Sequence, residues 1–168
     1  MSFCPVGKSV QFALQIKQGN TMKILLLNGV NMNMLGKRNH SLYGADTLPE
    51  LEKKVQQYAE SLGATVVCAQ SNVEGELVNI LQLTDCDAVV LNAGAYAHYS
   101  YALRDCIECI DIPVVDVHMS NIYARESFRH TDVLASVCSA TFVGKGIQSY
   151  FDAVQFLVEN NGTTQTTI

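Results

Sequence analysis

The chain has no basic cluster, and its 168 residues hold 11 lysines and arginines against 16 aspartates and glutamates, a formal charge of −5. That balance offers nothing to neutralise phosphates, so nucleic acid and anionic membranes are excluded as expected partners. No apolar stretch approaches the roughly 20 residues of a membrane span. The first 20 residues also lack the uninterrupted apolar core and small-residue cleavage site of a secretory signal. The expected location is therefore cytoplasmic. There are no internal repeats and no interdomain linker. With 48% hydrophobic residues, one domain suffices, with a core that should bury roughly 70% of the unfolded chain's surface.

A phosphate-binding fingerprint is missing as well. Neither G-x-G-x-x-G nor G-x-x-x-x-G-K-[ST] follows the first apolar run. Six cysteines, at 4, 68, 86, 106, 109 and 138, mostly sit inside apolar runs, where a free thiol behaves as a small hydrophobe. They are expected to be reduced and buried. Only Cys106 and Cys109 have redox or metal spacing, and no second pair follows. No metal site is expected. Asn39-His-Ser41 and Asn161-Gly-Thr163 fit the glycosylation pattern, which matters only in a secreted chain.

What is present begins with five short aliphatic or β-branched runs, at 23 to 28, 64 to 70, 87 to 92, 112 to 117 and 138 to 143. They are continuous rather than alternating, as in strands buried on both faces of a parallel sheet. Thr47-Leu-Pro-Glu50 reads as a capping box opening a helix through Leu51, Val55, Tyr58 and Leu62 that Gly63 stops. Further helical patterns lie near 74 to 83, 98 to 109 and 146 to 159. The order βαβαβαβαβ with right-handed crossovers predicts an α/β fold, a flavodoxin-like three-layer sandwich around a five-stranded parallel sheet of order 2-1-3-4-5. Residues 23 to 160 would form this domain, with 1 to 22 as an N-terminal extension and 161 to 168 as a flexible tail.

Three strand ends carry the polar residues. Asn28 leads into Asn31, Asn92 into His98, and Asp116-Val-His118 into Met119, Ser120 and Asn121. In open parallel sheets ligands bind outside the carboxyl ends of the strands, so these groups should converge on one crevice. The loop from Gly29 to Asp46 is long and rich in Asn and Gly, and its amides suit a polyhydroxylated ligand. In it, Arg38 precedes Tyr43 by five residues. A guanidinium close to a phenol favours the phenolate and makes a usable base; the alternative is that Tyr43 caps a hydrophobic patch while Arg38 is solvated. His118, with Asp116 on the same strand face, is either a proton donor or a satisfied buried histidine. Backbone N–H groups of Met119 and Ser120, where the strand gives way to a turn, would suit a carboxylate. Arg104 and Asp105 are either surface charges or ligand contacts. Asp105 lies about two turns from His98 and would reach the same ligand only from a neighbouring subunit.

Seven ordered motifs carry a resemblance: Asn28-Gly-Val-Asn31-Met-Asn-Met-Leu-Gly36, Arg38 with Tyr43-Gly44, Gln70-Ser-Asn72-Val-Glu-Gly-Glu76, Asn92-Ala-Gly-Ala-Tyr-Ala-His98, Leu103-Arg-Asp105, Val117-His118-Met-Ser-Asn121 and Ala124-Arg-Glu-Ser-Phe-Arg129. Between about Lys23 and Glu159 the chain closely resembles the type II 3-dehydroquinate dehydratases. The resemblance implies a lyase converting 3-dehydroquinate to 3-dehydroshikimate by anti elimination through an enol or enolate, with no metal and no organic cofactor. It implies that Tyr43, activated by Arg38, removes the proton, that Asn31 holds a water on the enolate oxygen, and that His118 protonates the departing hydroxyl. Met119 and Ser120 would take the substrate carboxylate, with Asn92, His98 and Arg129 on carboxylate and ring hydroxyls. Asp105 would come from an adjacent protomer of a dodecamer built as a tetramer of trimers. The loop from Arg38 to Tyr43 would act as a lid, and the step would serve the shikimate pathway or quinate breakdown.

The chain departs from that pattern at Val30, where the family usually has proline, and at Asp116, where it usually has glutamate. The shorter acid is expected to stand about 1.5 Å farther from His118, bridged by a water. The readings that compete with a lyase are a flavodoxin-like nucleotide or flavin binder and a catalytically silent relative.

Overall fold

The computed structural model describes residues 21–161, so most of the expected extension and tail lie outside the described residues. β1 (Lys23–Asn28) pairs on one side with β2 (Thr65–Gln70) and on the other with β3 (Ala88–Asn92). β3 pairs with β4 (Val114–His118), and β4 with β5 (Ala140–Val143), all in parallel. The sheet order is β2-β1-β3-β4-β5, as the five continuous runs predict. Its crossovers carry α1 (His40–Tyr43), α2 (Leu48–Ser61), α3 (Glu74–Leu83) and α4 (Tyr101–Cys109), while α5 (Gln148–Glu159) follows β5.

Side chains alternate across a strand, so each interior strand feeds two cores. Ile24 and Leu26 of β1 pack with Leu51, Val55 and Ala59 of α2 and with Tyr150, Val154 and Leu157 of α5. Leu25 and Leu27 pack on the other face with Leu77 and Leu81 of α3 and Leu103 and Ile107 of α4. β1 past its first residue, β3 and β4 are wholly buried, which is why their sequences run apolar without alternation. Each such Leu or Val contributes about 1.5–3 kcal/mol of burial before the entropy of ordering it.

The capping box of α2 is present: the Glu50 carboxylate accepts from the Thr47 N–H at 2.8 Å and from the Thr47 hydroxyl at 2.7 Å. α4 begins later than its periodicity suggests. Ser100 caps it by accepting the Leu103 N–H at 3.0 Å, and residues Gly94–His98 form a separate 3-10 turn, so His98 stands outside the helix. The crossover from β4 to β5 holds no α-helix, contrary to the expected βα repetition; two 3-10 turns, Ile122–Ala124 and Ser127–His130, occupy it. Cys86 and Cys106 are buried and Cys68 and Cys138 half-buried, but Cys109 is exposed on the last turn of α4, which corrects the expectation that it packs inside. Burial pushes the Cys68 thiol up to about 12, so it stays protonated at neutral pH.

Two glycines let the strand ends approach each other. The Gly29 N–H donates to the Asn92 carbonyl at 2.7 Å, and a Cβ on Gly29 would collide with the backbone of Ala93. Gly94, at φ +64°, would place a Cβ 2.6 Å from the Val30 carbonyl oxygen. The loops after β1 and β3 therefore cross at van der Waals limits, and this crossing forms the floor of a crevice at the carboxyl edge of the sheet.

Candidate active site

The polar residues at the strand ends are fixed from behind. Asn28 and Asn92 are register partners on β1 and β3. The hydroxyl of fully buried Tyr150 donates to Asn28 Oδ1 and accepts from Asn92 Nδ2, both at 2.8 Å. Burial drives the Tyr150 phenol well above its ordinary range, so it remains a donor. Asn92 Oδ1 accepts the Gly94 N–H at 3.1 Å. Both ends of this amide are thus held, and its orientation is set before any ligand arrives. Asn31 adopts the left-handed conformation, φ +65°, the sole non-glycine among the described residues to do so. Its N–H donates to Asn72 Oδ1 at 2.9 Å, and that oxygen also accepts from Gln70 Nε2 at 3.0 Å.

Tyr43 ends α1, whose N-cap Asn39 accepts from the Ser41 N–H at 3.0 Å and the Ser41 hydroxyl at 2.7 Å. This cap is the local use of one glycosylation-type triplet. The Tyr43 hydroxyl oxygen accepts from Arg38 Nη2 at 2.6 Å and from Arg125 Nη1 at 2.8 Å. The Arg38 guanidinium also lies 3.7 Å from the Tyr43 ring centroid, and Arg125 Nη1 reaches Ser120 Oγ at 3.2 Å. Two guanidinium donors thus converge on one phenol oxygen. Arg125 is the partner that sequence reasoning missed, because it is 82 residues from Tyr43 in a crossover with no periodicity.

His118, at the end of β4, is 5% exposed. Its Nε2 hydrogen-bonds Asp132 Oδ2 at 2.9 Å. Asp116 Oδ2 also lies 2.9 Å from Nε2, yet neither Asp116 oxygen has a hydrogen-bond partner. The expected bridging water is therefore corrected: the shorter acid touches the ring directly, since both are fixed on one strand face. Burial alone would lower the His118 pKa, but the carboxyl groups of Asp116 and Asp132, each 2.9 Å from Nε2, outweigh it and raise it to about 10. His98 moves the other way, lowered first by burial and further by His118 and Arg129. Its Nδ1–H donates to the Thr131 carbonyl at 2.8 Å, which leaves Nε2 for the crevice.

One cavity is lined by Asn31, Arg38, Tyr43, Asn92, His98, His118, Met119, Ser120 and Arg129, nine of the ten residues singled out from the sequence, together with Arg125. Asp105 is not among them. Its side chain is 71% exposed on α4, 3.6 Å from Arg104, which also pairs with Glu108 at 3.0 Å. No aspartate or glutamate lines the cavity, whereas three arginines do, in a chain of net charge −5. A small anion with hydroxyls to bond fits this lining. The donor atoms of Asp116, His118 and Asp132 lie within 4.8 Å of one another, and Nε2 of His118 stands 2.9 Å from both carboxyl groups.

Comparison with known proteins agrees on a single family. The family described as "Dehydroquinase class II" matches residues 22–158. The chain is 48% identical over 144 residues to a protein named 3-dehydroquinate dehydratase from Pelotomaculum thermopropionicum, covering 84% of this chain and 100% of that one. It is 46% identical over 140 residues to another of that name from Bacillus licheniformis, covering 82% of this chain and 97% of that one. Among solved structures, the type II dehydroquinase from Butyrivibrio crossotus matches with a TM-score of 0.80 at 40% identity, over 83% of this chain and 99% of that one. The type II dehydroquinase from Propionibacterium acnes matches at 0.79 and 34% identity, with the same coverage.

Proposed function

The chain belongs to the class II dehydroquinase family, and from that we propose that it removes water from 3-dehydroquinate to give 3-dehydroshikimate through an enol or enolate, without metal or organic cofactor, a step shared by the shikimate and quinate routes. The observation that carries the reading is Tyr43, whose hydroxyl oxygen takes two guanidinium donors at the wall of a cavity that also holds His118. Tyr43, as phenolate, takes the proton alpha to the ketone. The electron pair moves onto the carbonyl oxygen, where a water held by Asn31 steadies it. Collapse of the enolate then breaks the C–O bond, and His118 gives its proton to the departing hydroxyl, which leaves as water. Charge is stabilised where it develops, which is where such catalysis gains most of its rate.

In the same proposal Met119 and Ser120 bind the substrate carboxylate through backbone N–H groups, helped by the positive field of Arg38, Arg125 and Arg129. Asn92, His98 and Arg129 bond the carboxylate and ring hydroxyls. The segment from Arg38 to Tyr43 opens and closes as a lid, because its short helix is wholly outside the two cores apart from Tyr43. Asp105, exposed on α4, serves the site of an adjacent copy in a dodecamer, and residues 23 to 160 form the catalytic domain. No described helix is long and apolar enough to cross a membrane, and we place the reaction in the cytoplasm. The test is absorbance of the conjugated enone on addition of 3-dehydroquinate, with and without a chelator. Appearance of product in both supports the reading; untouched substrate overturns it.

A further inference from the structure

Two carboxyl groups converge on one imidazole, and they are not equivalent. Asp116, two residues before His118 on β4, is 0% exposed with no hydrogen-bond partner on either oxygen. Asp132 arrives from the crossover after the second 3-10 turn, and its side chain is 3% exposed. Its Oδ1 accepts the N–H groups of Leu134 at 3.0 Å and Ala135 at 3.2 Å, while Oδ2 accepts from His118 Nε2 at 2.9 Å. One imidazolium balances one carboxylate. A second anion in the same dry space is costly, so the acid with fewer donors is the easier of the two to protonate. Both acids stand 2.9 Å from Nε2, but only Asp132 also accepts backbone N–H groups, so it holds its negative charge more firmly than Asp116.

We propose that Asp132 is the anionic positioning residue of His118 and that Asp116 is the secondary partner, the first of the two acids to take up a proton as pH falls. Asp132 then fixes the ring with its Nε2–H turned away from the cavity. Nδ1, which has no partner among the described residues, is left as the nitrogen that gives up the proton. Burial pushes the Asp116 carboxyl up to about 6, whereas the bonds that Asp132 accepts outweigh its burial and hold it below the usual range. The other titratable groups near the trio are the neutral His98 ring, 6.2 Å from His118, Arg129 beyond it, and the Cys138 thiol, which burial and both carboxylates keep protonated. This assignment rests on His118 being the acid of the elimination.

The experiment follows the His118 imidazole by NMR across pH in the full chain, in Asp132→Asn and in Asp116→Asn, with kcat and KM measured over the same range. The amide that replaces the Asp132 carboxylate retains an oxygen for the two backbone N–H groups, so the turn is kept while the charge is lost. In Asp132→Asn the His118 midpoint falls by about one pH unit or more, the basic limb of kcat falls with it, and KM changes little. In Asp116→Asn the midpoint moves less. Asp132→Ser, which also keeps a capping oxygen, is read in the same way should the amide variant fold poorly. A larger fall in Asp116→Asn than in Asp132→Asn, or no movement in either, overturns the proposal. Full turnover in His118→Gln would instead sink the role of His118 as acid, while the NMR midpoints still decide which carboxylate is its counter-ion.

Discussion

The rings of His98 and His118 lie 6.2 Å apart with their planes 16° from parallel, yet their surroundings pull their charges in opposite directions. His98 is held neutral by burial and by two nearby cations, whereas His118 is held charged by two carboxyl groups that outweigh its burial. A neutral ring therefore stands beside a cationic one in the same cavity, the division of labour that the proposed elimination requires.

The stability consequence has a definite sign. The His118 pKa is higher folded than unfolded, so its contribution is full below the unfolded value of about 6.5 and is lost as pH rises through the folded value, about 10. His98 acts oppositely and withdraws stability as pH falls below about 6.5. Thermal melts across pH should show the parent losing stability between neutral and strongly alkaline pH, and His118→Asn should flatten that fall. An equally steep alkaline loss in the variant would contradict the assignment.

Arg125 and Arg38 share one oxygen, and their effects should not add. Arg125→Ala or Arg38→Ala should each reduce kcat by about a hundred- to a thousandfold, the usual cost of removing a donor to developing charge. Combined with Tyr43→Phe, either loss should nearly vanish, because the donors act only through that hydroxyl. Steady-state kinetics on the two double-mutant cycles checks this. Additive losses would mean that Arg125 acts on substrate alone.

Tyr150→Phe removes the hydroxyl joining Asn28 to Asn92 and leaves two buried amides short of a partner. The expected cost is about 2 kcal/mol, a fall in Tm of roughly 4–8 °C for a domain of this size. Because Asn92 is then free to turn its amide, KM should rise more than kcat falls. A melt unchanged from the parent would show that the network carries no stability.

Much of this was readable from the chain because burial on both faces erases alternation: Val89-Val-Leu91 and Val114-Val115 read as interior strands, and the strand ends identified Asn92 and His118 directly. Thr47 and Glu50 marked the start of α2 because a capping box is local. Arg125 and Asp132 were not legible as site residues. Their partners are 82 and 14 residues away, and the crossover that carries them forms 3-10 turns without apolar periodicity. The helical pattern also extended too far back, to His98, because Ser100 terminates it through a side-chain bond that hydrophobicity does not record.

The crossing of the loops after β1 and β3 provides the last prediction. Gly94 combines φ +64° with a position where a Cβ would stand 2.6 Å from the Val30 carbonyl oxygen, a backbone atom that side-chain rotation cannot move aside. Gly94→Ala must therefore either strain its own backbone, by about 1–2 kcal/mol, or push the Val30 loop outward at a further cost of about 1–3 kcal/mol. The second response also displaces Asn31, the next residue. The variant should melt roughly 5–15 °C below the parent, with kcat/KM reduced beyond what the folded fraction explains. Gly75→Ala is the matched control: it lies in the first turns of α3, nothing stands within 4 Å of its added Cβ, and alanine is the better helix former. Its melt should equal or exceed the parent's with kinetics unchanged. If calorimetry finds both variants alike, the close approach of the two loops is not what shapes the crevice floor.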